Sequence, residues 1–419
     1  MLRMYTEIYK CRICKNRNLL SVLNLGLQSF TGIFPKKINN NIPIGPLELV
    51  KCDNLNNNNC GLLQLKHSFD LNQLYGENYG YRSGLNPTMV KHLNNKVDNI
   101  LKLVSINKGD LIVDIGSNDA TLLKAYNNIR ANHLVGFDPT GKKFSEYYPK
   151  NIKLIPNFFS YELFKKNFGS KKAKIITSIA MFYDLEDPLQ FMSDIKKCLD
   201  DDGIWVFEQS YMPTMIEECA YDTICHEHLE YYGFYQIKWM AEKIGLKIIS
   251  VELNKVNGGS FSVIIKKGKN ELNNNKFDYL IKNEKNLKLD SLLPYKNFEK
   301  RIFKHKHDLI ELINKINNGS KNIFGYGAST KGNVILQYCN FTKKDIPYII
   351  EINPDKFGSY TPGTKIPIIS YKEALKLKPD YLFVLPWHFR NYIIEKEKNF
   401  LKNHGKLIFP LPKIEIIDL

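Results

Sequence analysis

Leu111-Ile112-Val113-Asp114-Ile115-Gly116-Ser117-Asn118-Asp119-Ala120-Thr121-Leu122-Leu123 is an apolar run that breaks into small and polar residues, then resumes with helical spacing. Val135-Gly136-Phe137-Asp138-Pro139 answers it and puts an acid 24 residues after Asp114. A strand, a tight turn, a helix and a second strand ending in an acid are how a Rossmann-like sheet builds a nucleoside pocket. The turn lets the backbone approach the ligand, and the second acid takes the ribose hydroxyls. A dinucleotide fingerprint needs Gly-x-Gly-x-x-Gly, but here Gly116 is the lone glycine, followed by Asn118 and Asp119. Such hydrogen-bonding side chains suit a neutral or cationic adenosine ligand better than a pyrophosphate. S-adenosylmethionine (SAM) is such a ligand, and it is expected ahead of a nicotinamide cofactor or a purely structural turn.

A chain of 419 residues exceeds one ordinary core, so two or three domains are expected. Apolar residues at 43% and aromatics at 12% suit well-packed domains. No apolar run approaches bilayer length, and Met1 to Lys10 does not read as a signal peptide, so a soluble cytoplasmic protein with no membrane partner is expected. The net charge of +16 comes mostly from dispersed Lys, with no Arg-rich block or aromatic-interleaved basic ribbon. It reads as a solvated surface that attracts an anionic small molecule such as a nucleotide diphosphate, and no nucleic-acid partner is expected.

Four of the eight cysteines, Cys11, Cys14, Cys52 and Cys60, crowd the first sixty residues. Cys11-Arg12-Ile13-Cys14 is a knuckle whose two thiolates can face one ion, and Cys52 and Cys60 would complete a tetrahedral four-sulfur structural zinc site. The seven residues between the second pair are wider than usual, but an Asn-rich insertion can bulge outward as a loop. Beyond a closing strand at Leu62–Leu65, strands at Leu111–Asp114, Leu134–Asp138, Ile175–Ile179 and Gly203–Glu208 alternate with helical stretches. That pattern predicts a parallel sheet wrapped by helices, closed by Leu246–Leu253 and Phe261–Lys266. After a Lys/Asn-rich linker and a long amphipathic helix, a second such unit opens at Lys321, with strands at Ile346–Glu351, Tyr381–Leu385 and Lys406–Phe409. The expected fold class is α/β. A zinc ribbon (1–67) precedes a Rossmann-like class I methyltransferase domain (68–268), and a linker helix with a second Rossmann-like domain follows (269–419).

In a parallel sheet the ligand lies outside the carboxyl ends of the strands. That rule gathers the 114–119 turn, Asp138 with Pro139, Ala180, Met181 and Tyr183, and Glu208 into one crevice. Ala180 and Met181 hold the place beneath the adenine, and Tyr183 and Glu208 face the substrate side. The densest chemistry is Asp222-Thr223-Ile224-Cys225-His226-Glu227-His228-Leu229-Glu230-Tyr231-Tyr232. A histidine is the natural general base and a neighbouring Glu can orient it, so His228, Glu227 and His226 are the catalytic candidates. A metal site and an inert loop stand as alternatives. The second glycine turn has Gly325, Gly327, Ser329 and Lys331, with Glu351 at the end of the next strand. A helix N-terminus with a Lys and an acid for a ribose suits a nucleotide without nicotinamide chemistry. A structural duplicate of the first domain is the alternative.

Together these residues resemble the three-domain sugar C-methyltransferases that act on nucleotide-linked keto-deoxysugars. The resemblance rests on the four cysteines, Gly-Ser-Asn-Asp at 116–119, Glu-His-Leu at 227–229, Gly-Gly-Ser at 258–260, Gly-Tyr-Gly-Ala-Ser at 325–329 and Tyr-Thr-Pro-Gly-Thr at 360–364. It implies SAM held by Asp114, Gly116, Asn118, Asp119 and Asp138, with Tyr81 or Ser83 near the methyl group. It implies His228 as the base beside Glu227, and a C-terminal domain that helps bind the nucleotide sugar. The implied chemistry is an enolate that attacks the sulfonium methyl. Ala120 stands where the family has Gly, Cys225 where it has Tyr, Met181-Phe182-Tyr183 where it has an Asn/His stretch, and Asn257 where it has His. The last three fall near the substrate, so the sugar and the methylated atom stay open. O-methylation of a sugar or heptose hydroxyl is the close alternative, and a non-catalytic nucleotide- or nucleic-acid-binding protein the rival from another class. Monomer and homodimer are both open.

Overall fold

The computed structural model describes residues 5–39, 41–55, 59–75, 79–126, 133–268 and 277–418. Asn56, Asn57 and Asn58 of the widened cysteine gap, and 269–276 of the linker, lie outside the described residues.

Leu111–Ile115 is buried along its whole length and is an interior strand of a seven-stranded sheet. The strand order is Leu246–Asn254, Ser260–Lys267, Leu199–Ser210, Ala173–Ile179, Leu111–Ile115, His133–Phe137, Ile152–Ile155. Ser260–Lys267 alone is reversed, pairing antiparallel with both neighbours. This is the class I methyltransferase order, and its switch point falls beside Leu111–Ile115, where the chain crosses first to one side and later to the other. Helix Pro87–Leu101 covers one face. Asn86 caps it by accepting from the Thr88 and Met89 N–H groups, and Pro87 needs no donor at that position. Its buried Met89, Leu93, Val97 and Ile100 recur at helical spacing, each burial worth about 1.5–3 kcal/mol.

The second α/β unit has the strand order Ile368–Ser370, Ile349–Glu351, Ile323–Tyr326, Tyr381–Val384, Lys406–Phe409, Glu415–Ile417, parallel except the last. The strand expected from Ile346 begins only at Ile349, since Pro347 has no N–H for a ladder. The linker region forms two helices, Asp278–Asn286 and Leu293–Asn318. The longer one buries Tyr295, Phe298, Ile302, Leu309, Ile313 and Ile316 as one stripe, and touches both the N-terminal strand Leu19–Ser29 and helix Met212–Glu217.

The N-terminal part is larger than a ribbon. Leu19–Ser29, Ile44–Cys52 and Leu63–Leu65 form an antiparallel sheet, and its fourth strand, Glu230–Tyr231, comes from the acid–base loop. A further pair, Tyr5–Glu7 with His67–Phe69, straddles the 67/68 boundary. The catalytic candidates are therefore stitched into the cysteine-bearing sheet.

Candidate active site

The methyltransferase part and the C-terminal unit meet around one cavity of about 580 Å3, lined by residues of both. Its floor is the carboxyl edge of the seven-stranded sheet. Gly116 takes φ +74°, and a Cβ there would stand 3.1 Å from Met181 Cγ, so the turn passes close beneath the 180–181 segment. Asn118, at φ +50°, donates its N–H to Asp138 Oδ2 (2.7 Å) and its Nδ2 to Tyr81 O (3.2 Å), and accepts from Ser83 N–H (3.0 Å). One side chain thus ties the turn to the loop bearing Tyr81 and Ser83. Ala120, at φ +62°, holds a left-handed conformation that costs an L residue about 1–2 kcal/mol, where the resembling family has glycine. Burial pushes Asp114 up to about 7 although Thr177 Oγ1 donates to it at 2.5 Å. Asp138 is likewise raised by burial, with Thr140 N–H and Oγ1 donating to its other oxygen.

Pro139, Ala180, Met181 and Tyr183 line the same cavity, as do Tyr81 and Ser83. Asp119 does not. Its carboxylate turns away to accept from Gly84 N–H (3.0 Å) and Thr121, a clamp on the loop and not a wall of the pocket. Glu208 reaches the cavity with its oxygens already engaged by His92 and Lys96 (2.5 Å each) and Asn254 (2.8 Å). Burial alone would raise it, but His92 and Lys96 pull it down to about 2. As an ion-paired acid it offers the substrate side less than its position in the sequence promised.

The acid–base loop divides. His228 and Glu227 line the cavity, whereas His226 is fully buried elsewhere, between Phe30 (ring centroids 4.7 Å) and Phe69 (4.8 Å), with Nε2 on Gly45 O at 3.2 Å. The turn at 226–227 sends adjacent side chains to different walls, so the expectation of two histidines at one site is corrected to one. Burial lowers His226 to about 4. His228 Nδ1 lies 2.8 Å from Thr223 O, an atom that only accepts, so Nδ1 carries the proton and Nε2 keeps its lone pair. Tyr183 packs against the ring, its plane tilted by 59°, at 4.3 Å between centroids. Burial, and then the charge of Lys331, hold His228 down at about 3, so it is neutral through the physiological range. Thr31 Oγ1 donates to Glu227 at 3.3 Å, and burial raises its carboxyl.

The C-terminal wall carries Gly327, Ser329, Lys331 and Glu351. Gly325 is not among them: it lies within its strand, where a Cβ would stand 2.2 Å from Ile349 Cδ1. Glu351 accepts from Ala328, Ile352 and Asn353 N–H groups at 2.7–3.0 Å, and Lys331 Nζ donates across to Asn257 O at 3.0 Å. Sequence reasoning missed the rest of this wall. Lys356 donates to Ala328 O (2.7 Å) and is lowered by burial; His388 is held well below its usual range by burial and Lys331; Lys396 sits over the Tyr326 ring. Tyr75 donates to Asp184 at 2.7 Å on the opposite side. None of these belongs to a motif; only the fold collects them.

The cysteines form the second centre. One ligand atom from each of Cys11, Cys14, Cys52 and Cys60 lies within 4.8 Å of the others, with Sγ–Sγ distances of 3.4 Å for Cys11–Cys60 and Cys14–Cys52. Tetrahedral zinc–sulfur bonds of about 2.3 Å need sulfurs about 3.8 Å apart. The set fits a closed zinc site with no open position for chemistry. The neighbouring sulfurs, Cys11 first, draw the Cys52 thiol below its usual range.

Comparison with known proteins agrees part by part. A family model described as a putative zinc binding domain matches residues 11–75, one described as a methyltransferase domain matches 89–251, and one described as a C-methyltransferase C-terminal domain matches 255–412. C-methyltransferase NovU of Streptomyces niveus is 26% identical over 416 residues, covering 98% of this chain and 97% of its own. The tRNA U34 carboxymethyltransferase of Campylobacter lari is 29% identical over 109 residues, 25% of this chain and 37% of its own. Among solved structures, the plantazolicin methyltransferase BpumL in complex with SAH aligns at 12% identity and TM-score 0.35 over 43% of this chain and 85% of its own. With these three domain models matched in order and a relative similar over its whole length, the chain is a SAM-dependent methyltransferase with a zinc-binding domain, a methyltransferase domain and a C-methyltransferase C-terminal domain.

Proposed function

We propose that the enzyme moves the methyl group of SAM onto a carbon beside the keto group of a nucleotide-activated sugar, with His228 as general base. The observation that carries this reading is the fixed tautomer of His228, which presents a free Nε2 lone pair on the wall of the shared cavity. The base takes the acidic C–H proton, the C–H electrons become an enolate, and the enolate carbon attacks the methyl as the S–C bond breaks. A base held so low does not carry its proton at rest. The developing enolate is itself the counter-charge that raises the imidazole in the transition state. Lys331, close enough to depress His228, is suited to stabilise the same negative charge. SAM supplies an electrophile that is already strong, so holding the two reactants in line contributes most.

On the cofactor side, Gly116, Asn118, Asp138, Pro139, Ala180 and Met181 form the SAM pocket in this reading, Asp114 braces its floor and Asp119 its loop, and Tyr81 and Ser83 lie toward the methyl. Tyr183, Gly327, Ser329, Lys331 and Glu351 face the sugar and its nucleotide, and Glu227 supports the base loop. Asp138→Ala is expected to weaken SAM binding about tenfold to a hundredfold, the worth of a buried hydrogen bond to a charged group. Calorimetry checks it, and an unchanged affinity would put the ribose elsewhere. The reaction itself is tested by NMR of the product from methyl-labelled SAM and a panel of nucleotide-linked keto-sugars and heptoses. A carbon-bound methyl supports the enolate route; an oxygen-bound methyl moves the chemistry to hydroxyl activation and overturns it.

A further inference from the structure

Arg12 stands between two of the zinc ligands and is buried despite its charge. Its N–H donates to Gln64 Oε1 at 3.1 Å, Nη1 to Leu65 O at 2.6 Å, and Nη2 to His67 O at 3.1 Å and Ser68 Oγ at 2.9 Å. The guanidinium fork thus grips the junction between the strands Leu63–Leu65 and His67–Phe69 beside the knuckle. Its Nε, without a hydrogen-bond partner among the described residues, faces Glu186 Oε2 at 3.5 Å and Glu230 Oε1 at 3.7 Å. Both oxygens of Glu230 are buried and have no hydrogen-bond partner there either, so Arg12 is the charge that answers it.

Glu186 follows Asp184 by two residues, and Glu230 follows His228 by two. Leu229 N–H donates to Tyr183 O at 2.8 Å, so these two wall segments of the cavity are bonded to each other. Leu65 N–H donates to Leu229 O at 2.8 Å, and Ser68 Oγ to Glu186 at 2.7 Å, so both are bonded to the Gln64–Ser68 segment that Arg12 grips. We propose that Arg12 is a positioning residue for methyl transfer: held by the zinc knuckle, it sets where the His228 loop and the Tyr183–Asp184 segment meet. The metal then orders the reaction centre although it touches no substrate. The functional part of this inference rests on His228 being the base.

The test is Arg12→Met in the full-length protein, with zinc content measured first. At about one zinc per chain, amide hydrogen exchange at Leu229 and Leu65 is expected to rise at least tenfold. The His228 imidazole NMR signal is expected to move, while exchange at Leu111–Ile115 stays constant and SAM affinity holds within twofold. Arg12→Lys, which keeps the charge and loses the fork, should fall between. Unchanged exchange and an unmoved imidazole signal overturn the proposal. Where Arg12→Met loses zinc or fails to fold, the size-matched pair Glu186→Gln with Glu230→Gln is read by the same two signals, and no change overturns it. Neither signal depends on turnover, so a failure of the base assignment, seen as an active His228→Ala, is told apart from a failure of this one.

Discussion

Replacing His228 with alanine is expected to lower kcat about a thousandfold, the middle of the range that a positioned general base contributes, and to leave SAM affinity within about twofold. The two halves of that expectation come from separate geometry. The imidazole is fixed by Thr223 O and packed against Tyr183, neither of which belongs to the Gly116–Asp138 turn system proposed to hold the cofactor. Because burial and Lys331 hold the folded His228 at about 3, the active neutral form persists as pH falls below 6.5. The acid limb of kcat/KM attributable to this group therefore lies near pH 3, below the ordinary histidine range. Lys331→Met removes a charge that depresses His228 and should move that limb upward. Steady-state rates across pH, with SAM binding measured in parallel, decide it. Loss of SAM binding in His228→Ala, or undiminished turnover, would remove the base assignment.

The central sheet was legible because its signals are local. Leu111–Ile115 is an apolar run ended by a glycine turn, and in the C-terminal sheet Lys406–Phe409 likewise stands where its residues predict. The N-terminal sheet had a signal too, in the alternation of Leu23, Leu25 and Leu27 against Leu47 and Leu49, but knuckle spacing says nothing about it. What no local pattern carries is which wall a side chain reaches. His226 and His228 are equivalent in composition and opposite in fate, because Phe30 and Phe69, far away in sequence, enclose one of them. Asp119 and Gly325 were placed at the cavity by motif position and are turned from it by a loop contact and a strand register. Lys356 and His388 are reached only through the fold that brings the C-terminal unit over the methyltransferase sheet.

Removing the zinc with a strong chelator is expected to lower the thermal unfolding midpoint by on the order of 10 °C and to abolish methyl transfer. Structural zinc sites carry about 10–16 kcal/mol of apparent binding energy in small modules. Even a fraction of that, several kcal/mol, moves the midpoint this far in a domain of ordinary size. The effect should not stay within the first sixty residues. Cys52 ends the strand Ile44–Cys52, and Cys60 O accepts from Gln236 Nε2 at 2.8 Å, on a helix of the methyltransferase domain. Three of the four thiols are buried, so metal loss leaves four sulfurs packed against one another with no ion to hold them together. The knuckle then has no reason to keep its shape, and the sheet that holds Glu230–Tyr231 frays from the edge that also positions His228. Calorimetric melting with metal analysis on the same sample checks this. A metal-free protein with an unshifted midpoint and full activity would mean that hydrophobic packing alone holds the N-terminal sheet, through Leu47, Leu49, Leu63 and Leu65, and that the four sulfurs add nothing to it.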